Sequence, residues 1–198
     1  EGGDRGLYKT MDGGISWSKI LDISENTGVN EVHLDPRDPN IVYATAHQRR
    51  RHVWTYISGG PESAVYKSTD AGTTFKKLGN GLPSGDVGRY ALSISPVNPD
   101  VVYAMAEGHG FYKSTDRGAS WGKQGGHNTS GNYYVEIYAS PFDLNTIYSM
   151  DTYGHVSYDG GKTFGRISEK NKHVDNHCMW INPKDENNMI WGCDGGLY

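Results

Sequence analysis

The sequence predicts an all-β chain of four-stranded antiparallel blades, the unit of a β-propeller. Three observations predict it. An eight-residue pattern occurs four times, as Thr10-Met-Asp-Gly-Gly-Ile-Ser-Trp17, Ser68-Thr-Asp-Ala-Gly-Thr-Thr-Phe75, Ser114-Thr-Asp-Arg-Gly-Ala-Ser-Trp121 and Ser157-Tyr-Asp-Gly-Gly-Lys-Thr-Phe164. A second, proline-centred pattern also occurs four times and keeps step with the first. No stretch of useful length carries the apolar i, i+3, i+4, i+7 spacing of an amphipathic helix.

The octet reads Ser/Thr-x-Asp-x-Gly-x-Ser/Thr-aromatic. Its aspartates, Asp12, Asp70, Asp116 and Asp159, are separated by 58, 46 and 43 residues, which is the period of one four-stranded blade. The octet has the chemistry of a turn. An Asp carboxylate can accept backbone N–H groups of its own turn. Glycine two residues on can take a positive φ that other residues resist. The closing Trp or Phe leaves as a strand residue that can pack between blades. The four aspartates are therefore read as structural staples, not catalytic acids.

The second pattern runs Val32–Tyr43, Leu92–Tyr103, Ile137–Tyr148 and Met179–Ile190, with prolines at 36, 96, 141 and 183. Each copy is an apolar or alternating strand, a Pro/Asn/Asp turn and a β-branched strand. One blade is then strand one, the proline turn, strand two, a loop, strand three (Ala64-Val-Tyr-Lys67, Gly110-Phe-Tyr-Lys113), the Asp turn and strand four. Complete blades fall at 30–79, 89–125 and 133–168. Residues 6–20 supply strands three and four of a half-blade, and 177–198 supply strands one, two and the start of three. All of 1–198 reads as a single β-propeller region and as a fragment of a larger propeller. The alternative is a closed four-bladed ring in which the terminal half-blades pair as one sheet, which removes exposed edges.

Composition narrows the class. With 27 Gly, 14 Tyr, 35% hydrophobic residues and a mean hydropathy of −0.67, the chain suits a water-exposed binding surface. A net charge of −4 argues against a general nucleic-acid binder. No transmembrane run is present, and with no initiator Met or signal peptide, targeting is not legible. The two cysteines, Cys178 and Cys193, flank one predicted hairpin turn. They either face each other across strands one and two or remain two free thiols.

Blade topology sorts the chemistry. The one–two and three–four turns share one end of each blade. The two–three loops and the interblade links share the other, collecting segments 21–30, 47–63, 79–90, 107–110, 123–134, 152–155, 168–177 and 194–196. Seven of the eight histidines fall there, and loops on a rigid scaffold are where binding groups gather. The longest, 47–63, sets Arg49, Arg50 and Arg51 beside Trp54 and Tyr56. Arginine offers bidentate donors to carboxylate or sulfate, and aromatic faces stack on sugars; a solvated loop with its arginines paired to acids is the plainer reading. A second group is His173, Asp175 and His177, with Asp194 near by. Alternation on an extended segment would put the first three on one side, as a metal site could use, but a hydrogen-bonded lining or an acid–base role suits them better. No metal or cofactor is assigned. Arg89, Tyr133 and Tyr134, just before strand one of their blades, are further candidate ligand contacts. The sequon Asn128-Thr-Ser130 matters only in a glycosylating eukaryote.

The octets resemble the Asp-box, or BNR, repeats of sialidases, sortilin-type VPS10 propellers and xyloglucanase-like glycoside hydrolases. The chain is most similar to large bacterial secreted proteins with sortilin-like BNR propellers. Gly6-Leu-Tyr-Lys-Thr-Met-Asp-Gly-Gly14, Gln48-Arg-Arg-Arg51 with Ser58-Gly-Gly-Pro61, Leu82-Pro83, His177 with Trp180-Ile-Asn-Pro183, and Asp194-Gly-Gly196 carry that resemblance. It implies an extracellular, cell-surface or periplasmic propeller binding glycans or peptides, with no nucleic acid and no membrane insertion. Further blades or domains of a longer chain are possible partners. The alternatives are a glycoside hydrolase or part of one, and a structural module of a cell-surface assembly. The resemblance does not fix catalysis. No sialidase N-terminal arginine motif is visible, and sequence does not show which of Glu25, Asp86, Glu107, Asp175 and Asp194 would converge as a carboxylate pair.

Overall fold

A computed structural model describes residues 3–130 and 133–198. Among these every regular element is a β-strand, in two compact units: residues 1–79 with 83–90, and residues 80–82 with 91–198.

In the first unit, β1 (Leu7–Lys9) and β2 (Ser18–Leu21) form a two-stranded sheet. A larger sheet follows in the order β3 (Thr27–Asp35), β4 (Asp38–Arg51), β6 (Ala64–Ser68), β7 (Lys76–Lys77), with β5 (Tyr56–Ser58) pairing the far end of β4. In β4 the seven residues Ile41–His47 are all buried, because an inner strand covered on both faces reads as a continuous apolar run.

The second unit holds two four-stranded sheets and one of three strands. The first runs β8 (Tyr90–Ile94), β9 (Val102–Ala106), β10 (Gly110–Ser114), β11 (Gly122–Gly125). The second runs β12 (Ile137–Ala139), β13 (Ile147–Ser149), β14 (His155–Ser157), β15 (Gly165–Arg166). The third is β16 (Asn176–Ile181), β17 (Met189–Cys193), β18 (Gly196–Leu197). Every printed strand pairing in the chain is antiparallel and joins neighbours in sequence, β5 aside.

The core of this unit lies between its first two sheets. Tyr103, Met105 and Phe111 from one side meet Val135, Ile137 and Ile147 from the other, with Leu144 and Phe164 packed against them. The Phe111 ring stands edge-on to Phe164, centroids 5.1 Å apart. Ala139 N–H donates to Ser93 Oγ (2.9 Å) and ties the two sheets directly.

All four octets close the same cage. In the third, Ser114 Oγ donates to Asp116 Oδ1 (2.7 Å) and accepts the Gly118 N–H (2.8 Å). Asp116 Oδ1 accepts the Ser120 N–H (2.8 Å), and Oδ2 accepts the Ser120 hydroxyl. The set recurs around Asp12, Asp70 and Asp159. Donation from the Ser or Thr hydroxyl, then from its backbone N–H, holds each carboxyl down at about 2.

The glycine positions Gly14, Gly72, Gly118 and Gly161 take φ of 96°, 87°, 80° and 89°. The residue before each is left-handed too, even where it is Ala71 or Arg117, both at 58°. That geometry frees its N–H for the neighbouring proline turn: Ala71 donates to Asn40 O (2.9 Å), Arg117 to Asp100 O (2.9 Å) and Gly160 to Asn145 O (3.0 Å). The two repeats keep step in sequence because each pair of turns is bonded at one end of its blade.

Two local expectations change. Segment 47–63 is not an open loop. Its first part extends β4, with Arg49 N–H donating to Asn26 O (3.0 Å), and residues 52–55 turn back into β5 with His52 N–H on Thr55 O (2.8 Å). The cysteines are free: an irregularity at His177 shifts the register, so that Cys193 opposes Asn176 and Cys178 opposes Gly192.

Candidate functional site

The second unit brings Tyr134, Asp175, His177 and Asp194 together. Their placement starts from Asn176, fully buried at the start of β16. Its amide Nδ2 donates to Asp151 O (3.1 Å), Thr152 O (3.3 Å) and Glu169 Oε1 (2.8 Å). Glu169 Oε1 also pairs with Lys172 Nζ at 2.7 Å. A buried amide and carboxylate satisfied in this way fix the backbone on either side. Asp175 is held left-handed, φ 64°, its N–H on Thr152 O (2.8 Å) and its carbonyl accepting the Asp194 N–H (3.2 Å).

Each acid then has a partner. The buried Tyr134 donates its hydroxyl to Asp175 Oδ1 at 2.7 Å. His177 Nε2 donates to Asp194 Oδ1 at 2.7 Å. The Tyr134 and His177 rings lie 5.0 Å apart, and Tyr133, 58% exposed, stands 6.1 Å from Tyr134. Burial, then the bond to Asp175 and the charges of Asp175, Asp194 and Asp151, push the Tyr134 phenol up to about 12. Two carboxylates, an imidazole and a phenol locked as a donor thus share one end of this unit, beside an open aromatic face.

His173 stands apart from them. It is exposed, and its Nδ1 donates to Val174 O at 2.7 Å. The alternation read for His173, Asp175 and His177 fails because the left-handed Asp175 breaks the extended segment. Among the described residues, no group of three His, Cys, Asp or Glu side chains is placed to hold a metal ion.

The first unit places the remaining candidates on the β4–β5 hairpin. Arg50 Nη2 donates to Asn26 Oδ1 (2.5 Å). The Arg49 guanidinium lies 5.5 Å over the Tyr56 ring. Trp54, 83% exposed at the tip, is backed by the His52 ring, stacked at 5.4 Å and 6°. Arg51 is exposed. Arg49 and Arg50 are thus braced by the hairpin and its neighbours, while Trp54 presents a free aromatic face. Behind them His47 is buried and bonds to Ser58 Oγ (3.1 Å). Burial, then the charges of Arg89, Arg49 and Arg5, lower it to about 4.

Sequence reasoning missed Arg5, whose Nη1 donates to Asn26 O (2.9 Å) and Arg49 O (2.7 Å), and also Asn26, Asp151 and Glu169. None carries a local pattern; each acts through a contact between segments distant in sequence.

Comparison with known proteins defines first the class and then particular relatives. The fold is that of a GH74 enzyme from Niastella koreensis, with a TM-score of 0.69 and 22% identity over 97% of this chain and 30% of that one. In sequence the chain is similar to xyloglucanases. It is 30% identical over 162 residues to one from Hypocrea jecorina, covering 75% of this chain and 18% of that protein. It is 28% identical over 205 residues to the xyloglucanase Xgh74A of Acetivibrio thermocellus, covering 97% and 22%. The chain therefore spans about a fifth of the curated relatives it matches. No protein-family model matches.

Proposed function

We propose that this chain is a glycan-binding propeller region of xyloglucanase-like type, part of a glycoside hydrolase acting outside the cytoplasm. Residues 1–198 are taken as one propeller region, and the four caged Asp turns support reading its repeats as Asp-boxes. The observation that carries the function is the Tyr134–Asp175 and His177–Asp194 pairing. Glycoside hydrolysis uses two carboxylates flanking the bond, about 5–10 Å apart according to mechanism. Asp175 and Asp194 are bonded backbone to backbone, and each carboxylate is oriented by one fixed donor. Tyr133 beside them supplies a face on which a pyranose ring can stack. In the first unit, Arg49, Arg50, Arg51, Trp54, Tyr56 and Arg89 form a further candidate contact surface. A peptide is the second ligand reading, favoured by the apolar exposure of Val53 (99%) and Trp54 on the hairpin tip.

The test is a polysaccharide panel that scores binding and cleavage together on the full-length protein and its Asp175→Asn and Asp194→Asn variants. Cleavage lost with binding retained supports a hydrolytic pair. Binding without cleavage in the wild type leaves a binding module. No glycan bound by any form sinks the reading.

A further inference from the structure

We propose that Arg5, Arg49 and Arg89, gathered at the His47 end of the first blade, seat the anionic group of an acidic sugar: a uronate carboxylate or a sulfate ester. The proposal rests on the glycan reading and deepens it by naming a ligand charge that neither repeat pattern nor relatives suggest.

Four separate segments build the place. His47 and Arg49 are two apart on β4, so they project from the same face. Arg5 reaches β4 from the chain's first residues, its Nη1 bridging Asn26 O and Arg49 O. Arg89 arrives on the 85–90 loop. That loop docks because Gly59 and Gly60 leave room for it: Gly60 N–H donates to Val87 O at 2.9 Å, and a Cβ on Gly59 would stand only 3.0 Å from the same oxygen. Asn30 Nδ2 then holds Tyr90 O at 3.2 Å, fixing the backbone next to Arg89. Asp86, the acid of this loop, sits beside Gly59, its Oδ1 3.3 Å from where that Cβ would be.

The electrostatics agree with the geometry. The charges that bear most on His47 are three arginines. Gathering like charges costs free energy, and a bound anion offsets it. Guanidinium is the cation suited to the task, since its planar fork meets carboxylate or sulfate oxygens two at a time. His47 stays neutral and can act as a hydrogen-bonding partner rather than a fourth charge. Tyr56, under Arg49, supplies an aromatic edge beside the anion, where the sugar ring itself would lie.

Isothermal titration of the full-length protein with trigalacturonate, glucose 6-sulfate and a neutral xyloglucan oligosaccharide tests this. At least one anionic probe binds, and which one identifies carboxylate or sulfate as the source. Its affinity falls about ten-fold or more in Arg5→Gln and in Arg49→Gln, and falls steeply as salt rises from about 0.05 to about 0.5 M. Neutral oligosaccharide binding stays the same in these variants. Should Arg5→Gln unfold, Arg89→Gln carries the test, with the same loss expected. Anionic probes that do not bind, or that bind the folded variants undiminished, overturn the proposal. Neutral binding retained in that case leaves the glycan reading standing.

Discussion

Gly161→Ala tests how the blades are held together. Gly161 lies in the fourth Asp turn at φ 89°, and a Cβ there would stand 2.2 Å from both Cδ1 and Cε1 of Phe111. Phe111 is fully buried between two sheets, so its ring has nowhere to go. Overpacking of this kind costs about 1–3 kcal/mol, and a left-handed alanine in place of glycine adds about 1 kcal/mol. The expected loss is about 2–4 kcal/mol, or roughly 5–15 °C in Tm for a chain of this size. Gly160→Ala, one residue earlier, is the control. Its φ is 76°, its Cβ would meet only Asn145 Oδ1 at 3.3 Å, and sister turns already carry Ala71 and Arg117 there. It is expected to cost no more than about 1 kcal/mol. Calorimetric unfolding reads both. Phe111→Ala alone costs about 3–5 kcal/mol; combined with Gly161→Ala it should cost less than the sum, because the clash is gone. Equal Tm shifts for the two glycine variants, or strict additivity in the double variant, would refute the idea that the Asp turn of one blade is wedged onto strand three of the blade before it.

Three further outcomes are expected. The four turn carboxyls lie at about 2, below their ordinary 3.8, so their stabilisation is full above about pH 4 and is lost as pH falls toward 2; Asp116→Asn should flatten part of that acid limb in a pH–Tm series, and an unchanged limb contradicts the assignment. His47 and His127 are both lowered to about 4, burial being the first cause. Being depressed, each contributes stability present above about pH 6.5 and lost as pH falls toward 4; NMR titration should find both neutral at pH 5.5, and midpoints near 6.5 would show the burial to be wrong. Thiol counting on the denatured protein should give two reactive thiols with or without reductant, whereas a count of zero without reductant would show that Cys178 and Cys193 can pair.

The fold class was legible because it depends on turn chemistry that sequence writes out locally. An Asp that takes its own turn's N–H groups, and a glycine that must be left-handed, leave the same letters each time. The placing of the two turns at one end of a blade follows from strand alternation alone. The β4–β5 hairpin was not legible: Gln48-Arg-Arg-Arg51 looks like a polar loop, and only the backbone of Asn26 and of β5 makes it strand. The offset of Cys193 from Cys178 was hidden for a related reason, since one irregular residue in β16 moves every partner beyond it. At the candidate site, histidine and aspartate spacing pointed to the right segment but implied the wrong arrangement. A positive φ at Asp175 is enforced by Asn176, Glu169 and Thr152, and nothing in the string announces it.

The central claim is that the Asp turns are scaffold and that the Tyr134–Asp175–His177–Asp194 end does the binding. Titration calorimetry of a xyloglucan oligosaccharide into wild type, Asp159→Asn and His177→Ala tests it most directly. The account predicts unchanged affinity in folded Asp159→Asn and affinity lowered about ten-fold or more in His177→Ala. Undiminished binding by His177→Ala, or binding lost in folded Asp159→Asn, would contradict it.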